Sequence, residues 1–117
     1  METMLQRLTD LQDVYGAILV GKDGLIVSGT LHSEDEEVIG AMSAAAFGSV
    51  TNFTAQINNG DGEAQHIIIQ TKTGTIQMQN AGDLILIVTT QGTGNMGRVK
   101  LEMKKTCRQL LQLVANY

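Results

Sequence analysis

The 23 residues from Val38 to Gly60 contain no charged side chain, and this stretch limits the possible folds more than any other feature. Helical periodicity extends through it to about Ile57, where the run Asn58 to Gly62 provides an end signal. A helix that is nonpolar all round is buried all round. On a helical wheel, the larger apolar residues fall on one broad arc, which we assign to the core: Val38, Ile39, Met42, Ala46, Phe47, Val50, Phe53 and Ile57.

The remainder of this helix carries small residues where a surface helix would carry charges. Gly40, Ala44 and Gly48 stand at four-residue steps, and such a row lets a second backbone approach closely. Each interior glycine costs about 1 kcal/mol relative to alanine, so two of them are wasteful unless the missing side chains matter. We therefore predict that a second copy of the chain covers this face. The alternative is a helix that is alanine-rich by drift, or one enclosed by its own sheet and loops.

The rest of the chain reads as a single α+β domain over residues 1–117. A short helix spans Met1 to about Asp13, and the hairpin strands 15–21 and 25–29 follow around an Asp-Gly turn. Ser33 to Glu36 matches a capping box for the second helix. Three strands (64–71, 75–79 and 83–89) and a helix from about Met96 to Ala115 complete the order. One apolar stripe is predicted on this last helix, with Thr106 and Cys107 in its middle: Met96, Val99, Met103, Leu110 and Val114. We predict a three-layer α/β/α sandwich on a five-stranded antiparallel sheet, with strands 15–21 and 83–89 at its centre and with Gln77 and Gln79 facing outward.

Composition excludes several classes of protein. The net charge is −4 and aromatic residues make up 3% of the chain, so a nucleic-acid interface is not expected. The single cysteine, Cys107, forms no disulfide within the chain, which favours a reducing, cytoplasmic setting. Ser, Thr, Asn and Gln residues interrupt the uncharged stretch, so we expect no membrane insertion.

The sequence indicates no active site, and we predict a non-enzymatic protein without cofactor or metal. The run from Gly92 to Gly97 matches G-x-G-x-x-G, but the dinucleotide fingerprint needs a further strand and an acidic residue downstream. We interpret it as a turn with Asn95 as helix N-cap. His32 and His66 are far apart and have no companion at metal-ligand spacing, so a structural role is expected.

Five of the eight basic residues lie on the last helix: Arg98, Lys100, Lys104, Lys105 and Arg108. Lys100, Lys104 and Arg108 are four apart and so share one face. This face is either a solvated surface or a docking surface for an acidic partner. Arg98 in the first turn opposes the helix dipole, which mildly favours the second interpretation.

Four segments together resemble the roadblock family of dynein light-chain-type domains. They are the hairpin 14–29, the small-residue helix 38–57, the strand 81–88 with its turn, and the run 94–97 before the last helix. The resemblance implies dimerisation through the second helix and the edge strand 65–71. The interface residues that we expect are Gly40, Ala41, Ala44, Ala45, Gly48, Thr51, Asn52, His66 and Ile68.

The resemblance also implies a function. Members of the family are non-enzymatic partners of Ras-like small GTPases, or adaptors in motor and signalling assemblies, and compact prokaryotic members are of the MglB type. The leading hypothesis is a homodimeric platform that regulates a small GTPase. The alternative is a structural adaptor that ignores nucleotide state, and a small-ligand sensor or enzyme is the least favoured interpretation.

Overall fold

The computed structural model describes residues 2–30, 36–58, 62–92 and 95–115, with side chains described as far as residue 113. Three helices and five strands follow one another in the predicted order. Their bounds are α1 Glu2–Thr9, β1 Val14–Gly21, β2 Ile26–Gly29, α2 Glu36–Ile57, β3 His66–Gln70, β4 Gly74–Ala81, β5 Leu84–Gln91 and α3 Met96–Ala115.

The five strands form one antiparallel sheet in the order β2-β1-β5-β4-β3. The two strands that are apolar on both faces, β1 and β5, pair from Val14 opposite Thr90 to Gly21 opposite Leu84. The predicted fold class, an α+β sandwich on a five-stranded antiparallel sheet, is confirmed. β5 takes the central position because both of its faces need cover.

On one side of the sheet, α1 and α3 bury an aliphatic core. Leu5 and Leu8 of α1 meet Val99, Met103 and Leu110 of α3 over the strands. This arrangement confirms the predicted stripe on α3, in which Thr106 and Cys107 are also buried. Val114, the last member of the stripe, lies outside the described side chains.

On the other side, α2 covers the sheet with a narrower contact. Phe47 packs with Ile18 and Val20 of β1 and with Ile85 and Ile87 of β5. Only Gly40, Ser43 and Phe47 of the helix are fully buried.

α1 is shorter than the sequence indicates. It ends at Thr9 rather than near Asp13, because the chain turns sharply into β1 and Asp13 adopts a φ of 68°. This is a left-handed conformation that a helix cannot include. The predicted capping residue Ser33 lies outside the described residues.

The prediction that Gln77 and Gln79 of β4 face outward is wrong. Gln77 is fully buried and Gln79 nearly so, on the sheet face that α3 covers. The Gln77 side-chain amide donates to the carbonyl of Met96, 3.1 Å away. A buried polar side chain needs such a partner, and the sequence pattern alone did not reveal it.

Candidate interaction surface

The outward face of α2 exposes four large apolar side chains, more than either of the other described helices. Val38, Met42 and Phe53 are 57%, 66% and 63% exposed, and Ile57 near the helix end is also largely exposed. Ala41, Ala45, Gly48, Ser49 and Asn52 fill the surface between them. No charge interrupts this set, which we call the open α2 face.

The predicted division of α2 into a large-residue core arc and a small-residue partner arc is wrong in part. Ile39, Ala46, Phe47 and Val50 do pack toward the sheet. Val38, Met42, Phe53 and Ile57 point away from it instead, because α2 touches the sheet along a narrow line. The open α2 face therefore contains large apolar side chains as well as small ones.

Gly40 does not lie on this face. A Cβ on Gly40 would meet the side chains of Ile26 and Val20 within the same chain, so this glycine serves the contact between α2 and its own sheet. Residues at four-residue steps rotate by about 40° around a helix, so the row from Gly40 through Ala44 to Gly48 passes from the buried side to the open side. Around Gly48, no atom beyond the adjacent residues and the backbone of the helix itself lies within 4 Å of the Cβ position.

The other predicted interface residues are placed as follows. Ala41, Ala45, Gly48 and Asn52 are exposed, while Ala44 and Thr51 are half-buried at the flanks of α2. Their membership of a dimer interface stays a prediction.

β3 forms one edge of the sheet, with β4 as its only neighbour among the described strands. Ile68 and Ile69 are exposed on its two faces. His66 turns back toward its own sheet: its Nδ1 lies 2.6 Å from Oε1 of Gln79, and its Nε2 lies 2.7 Å from Oε1 of Gln77. These contacts hold the histidine ring on the face that α3 covers.

Part of the sheet beside α2 is also uncovered. A groove of about 800 Å³ lies there, and its floor and walls include Tyr15, Ile39, Ile76 and Thr89. The exposed surface of the lining is mainly apolar, and its polar groups include the hydroxyls of Tyr15 and Thr89. The groove extends the apolar surface of the open α2 face toward the turn between β3 and β4.

The basic residues of α3 lie on the opposite side of the sheet. Arg98, Lys104, Lys105 and Arg108 are exposed and Lys100 is half-buried. The structure therefore does not bring Lys100, Lys104 and Arg108 together with the open α2 face.

No catalytic constellation is found among the described residues. They contain no group of three His, Cys, Asp or Glu side chains arranged to hold a metal. His32 lies outside the described residues. Burial raises the pKa of the Cys107 thiol to about 11, which is the opposite of what a nucleophile requires.

The glycine-containing turn before α3 is placed as a helix start. The Asn95 carbonyl accepts from the amide of Val99, which makes Asn95 the N-cap residue as predicted. Its side-chain amide donates to the carbonyl of Gln12, 2.8 Å away, and so ties the helix start to the segment that precedes β1. Thr93 and Gly94 lie outside the described residues.

One ion pair joins the turn after β1 to the segment between α2 and β3. Lys22, in the turn after β1, lies 2.8 Å from the Glu63 carboxylate, and the same carboxylate accepts from the side chain of Asn80. The hydrogen bond from Lys22, with a smaller one from Asn80, lowers the pKa of Glu63. The Lys22 ammonium also lies 5.7 Å from the centre of the Phe47 ring.

Comparison with known proteins decides the family. The Roadblock/LC7 domain matches residues 1–90, which is more than three quarters of the chain. This chain belongs to the Roadblock/LC7 domain family. The resemblance that the sequence suggested is thus confirmed, and the family is one of small regulatory and adaptor domains that are generally non-enzymatic.

Relatives of this roadblock domain include two proteins of Methanocaldococcus jannaschii. The uncharacterized proteins MJ1340 and MJ0310 are each 33% identical over 111 residues, covering 94% of this chain and 96% of the relative.

Solved structures share the fold at low sequence identity. MglB of Myxococcus xanthus superposes with a TM-score of 0.89 at 19% identity, covering 99% of this chain and 95% of that one. A Roadblock/LC7 domain from Streptomyces avermitilis gives a TM-score of 0.86 at 17% identity, covering 98% of each chain. A further structure, described as MglB with a tetrameric arrangement, gives 0.85 at 15% identity, covering 97% of this chain and 87% of that one.

By length and composition, α2 is the one described helix of this roadblock domain that could cross a membrane. That observation is weak by itself, because the core helices of many domains meet the same condition. In this fold α2 contacts the sheet through Phe47 and its neighbours, as a helix of the domain itself does.

Proposed function

We propose that this chain is a cytoplasmic, non-enzymatic platform that dimerises through α2 and β3 and regulates a Ras-like small GTPase. Residues 1–117 act as one roadblock-type domain, since MglB of Myxococcus xanthus matches 99% of the chain. The observation that carries the proposal is the open α2 face, which exposes Val38, Met42 and Phe53 within a stretch of sequence that contains no charged residue.

The size of this face supports a second copy as its cover. Complete burial of a large apolar side chain contributes about 1.5–3 kcal/mol, and the side chains of the open α2 face begin more than half exposed. Their sum is of the same order as the roughly 4–15 kcal/mol that association costs. The helix face alone would therefore give a weak dimer, and a second contact is required.

The edge strand β3 provides that second contact. It has a free edge next to β4, and Ile68 and Ile69 on its two faces are partly exposed. Two copies joined edge to edge along β3 would form one continuous sheet. The N–H and C=O groups on the free edge of β3 would then pair with those of the other copy instead of with water. His66 would stand beside this junction, held by Gln77 and Gln79.

The proposal that a GTPase is the partner rests on the family and on the structural likeness to MglB. We propose that regulation works through the partner's own catalytic groups, which agrees with a family that is generally non-enzymatic. Such regulation needs different affinities for the GTP-bound and GDP-bound forms of the GTPase, because a ligand with equal affinity for two states shifts nothing.

A structural adaptor is the second candidate. The same open α2 face and β3 edge would serve an assembly that does not distinguish nucleotide states. The two candidates differ in one measurable respect, which is whether the chain changes GTP hydrolysis by its partner.

The dimer is tested by light scattering coupled to gel filtration at micromolar concentration. We expect a dimeric mass for the native chain and a monomeric mass for Ala45→Glu, because the new carboxylate would be buried in the interface. Gln112→Glu, at an exposed position of α3 on the other side of the sheet, is the matched control and should stay dimeric. A monomeric native chain would refute the platform.

The GTPase is tested by purifying the tagged chain from its native cells and identifying what accompanies it. A co-purifying small GTPase is then loaded with GDP or with a non-hydrolysable GTP analogue, and its affinity for the chain is measured in each state. Unequal affinities and a changed rate of GTP hydrolysis support regulation. Equal affinities and an unchanged rate favour the structural adaptor.

A further inference from the structure

The outward stripe of α3 combines Leu101, the more exposed of the two exposed leucines of the helix, with cations. Leu101 is 69% exposed, more than Met42 or Phe53 of the open α2 face. Lys104 and Arg108 follow it at three and seven residues, so all three share one face of the helix. Arg98 and Lys105 flank this stripe on one side and Lys100 on the other. We call these six residues the basic α3 face.

The cations of this face are not neutralised within the described part of the chain. The ion pair that the structure shows there joins Lys22 to Glu63, far from α3 in the sequence. The only acidic residue of the helix, Glu102, is half-buried on the side toward α1, where it lines a small cavity with Arg7 and Lys105 and forms no ion pair with either. Like charges four residues apart destabilise a helix, so Lys100, Lys104 and Arg108 work against the helix they occupy.

Folding of the domain does not require this arrangement. The opposite side of α3 supplies its contacts with the sheet, through Val99, Met103, Cys107 and Leu110. An exposed leucine costs solubility, and unpaired cations add no stability. The exposed leucine and the unpaired cations are explained together if this face binds a ligand that has an apolar group surrounded by negatively charged groups.

We propose that the basic α3 face docks an acidic, amphipathic segment of another protein, whose apolar side chain covers Leu101 and whose carboxylates pair with Lys104 and Arg108. Charge complementarity selects this occupant. An anionic membrane would have to attract a chain of net charge −4 through a face with a single central leucine. A nucleic acid would find no aromatic side chain on this face for stacking.

A groove beside the basic α3 face gives the docked segment room. Lys100 and Lys104 line it together with His66 and Gln79. The one carboxylate among its lining residues, Glu63, is paired with Lys22. Its volume of about 510 Å³ is sufficient for side chains that project sideways from a docked helix or strand. Carboxylates that enter this groove would meet two ammonium groups.

Leu101, Lys104 and Arg108 lie on the side of the sheet opposite the proposed dimer contact on α2. The groove beside them reaches the β3 edge through His66 and Ile67, so the two proposed surfaces are neighbours there. The inference does not require that the partner be a GTPase. The domain would thus present two binding surfaces, one for its own copy and one for an acidic protein.

The test uses the full chain and a synthetic probe. The probe is a fluorescent peptide of about four helical turns, with leucines along one stripe and glutamates beside it. We expect saturable binding that weakens as salt rises, and amide shifts in nuclear magnetic resonance spectra that concentrate at Leu101, Lys104 and Arg108. A scrambled peptide of the same composition should bind at least about tenfold more weakly, because a stripe of leucines is needed to cover Leu101.

Paired variants identify the face. Leu101→Ala should weaken binding about tenfold, whereas Leu25→Ala, at a leucine equally exposed near β2, should leave it unchanged. Lys104→Glu with Arg108→Glu should abolish binding, and the exposed Lys72→Glu should have a small effect. All five positions are exposed, and the resonance map of the native chain does not depend on any variant.

Three results would overturn the proposal. They are equal binding of the scrambled peptide, amide shifts that concentrate on α2 instead of α3, and binding to phosphatidylserine vesicles that is as tight as binding to the peptide. None of these results bears on whether the chain dimerises or binds a GTPase.

Discussion

A Cβ placed on Gly40 would lie 2.8 Å from Cγ1 of Ile26, closer than real Cβ contacts occur. The absence of a side chain at this point lets the first part of α2 rest on β2. Ile26 is β-branched and stiff at χ1, so it cannot easily yield. The close approach fixes where α2 crosses the sheet edge.

Gly40→Ala should therefore destabilise the domain, although alanine is the better helix former. Overpacking costs about 1–3 kcal/mol, and the gain in helix propensity returns about 1 kcal/mol. We expect a net loss of up to about 2 kcal/mol, measured by urea unfolding under conditions where the native chain is monomeric. Gly48→Ala is the control, since open space surrounds its Cβ position, and it should not destabilise the monomer. Equal effects at the two glycines would contradict this account.

Gly48→Leu should loosen the proposed dimer while leaving helix content unchanged. The leucine would project from the open α2 face, where it meets nothing in its own chain but would hold a partner helix away. Sedimentation equilibrium measures the dissociation constant, which we expect to rise at least about tenfold for a loss of about 1.4 kcal/mol. Circular dichroism checks the helix content. An unchanged dissociation constant would show that the copies meet elsewhere.

The ion pair between Lys22 and Glu63 should make stability depend on pH in the acid range. Because the pKa of Glu63 is lowered in the folded chain, its contribution is present above the ordinary value of 4.5 and is lost as pH falls. We expect Glu63→Gln to reduce the free energy of unfolding near neutral pH, and this difference should shrink below about pH 4. Urea unfolding across this range provides the measurement, with Glu37→Gln, an exposed glutamate at the start of α2, as control. A difference that does not vary with pH would rule out the charge as its cause.

Cys107 should react slowly with thiol reagents. Its pKa is raised to about 11 because the thiol is buried under α3, so the reactive thiolate is scarce at neutral pH. The raised pKa stabilises the fold up to about pH 9 and this stabilisation disappears as pH rises through about 11. Since it is the single cysteine of the chain, the rate of labelling reports this site alone. We expect urea to accelerate labelling strongly, and fast labelling of the native chain would contradict the burial.

The order of elements was predictable because each carries a strong local signal. The two doubly apolar strands predicted β1 and β5 at the centre, and the stripe around Val99 and Met103 predicted the buried side of α3. Local signals did not reveal the burial of Gln77. The alternation Ile76-Gln77-Met78 is the same whether the face of β4 that carries Gln77 contacts water or α3. The partner of Gln77, the carbonyl of Met96, becomes apparent only in three dimensions.

The same contrast between local sequence signals and three-dimensional contacts explains why the faces of α2 were assigned wrongly in part. The absence of charged residues indicated that α2 must be buried on more than one side. That conclusion holds at any angle at which the helix crosses the sheet. The wheel could not assign the faces of the helix, because almost every position is apolar or small. Contact with Ile26 assigns Gly40 to the sheet side and leaves Met42 and Phe53 outside.

The narrow contact between α2 and the sheet has a consequence for the turnover of the protein in the cell. A copy that has found no companion displays Met42 and Phe53 to chaperones and proteases, whereas a paired copy would conceal them. Newly made chains would then persist only as far as companions are available, so the cellular amount of this domain would follow that of whatever binds to α2.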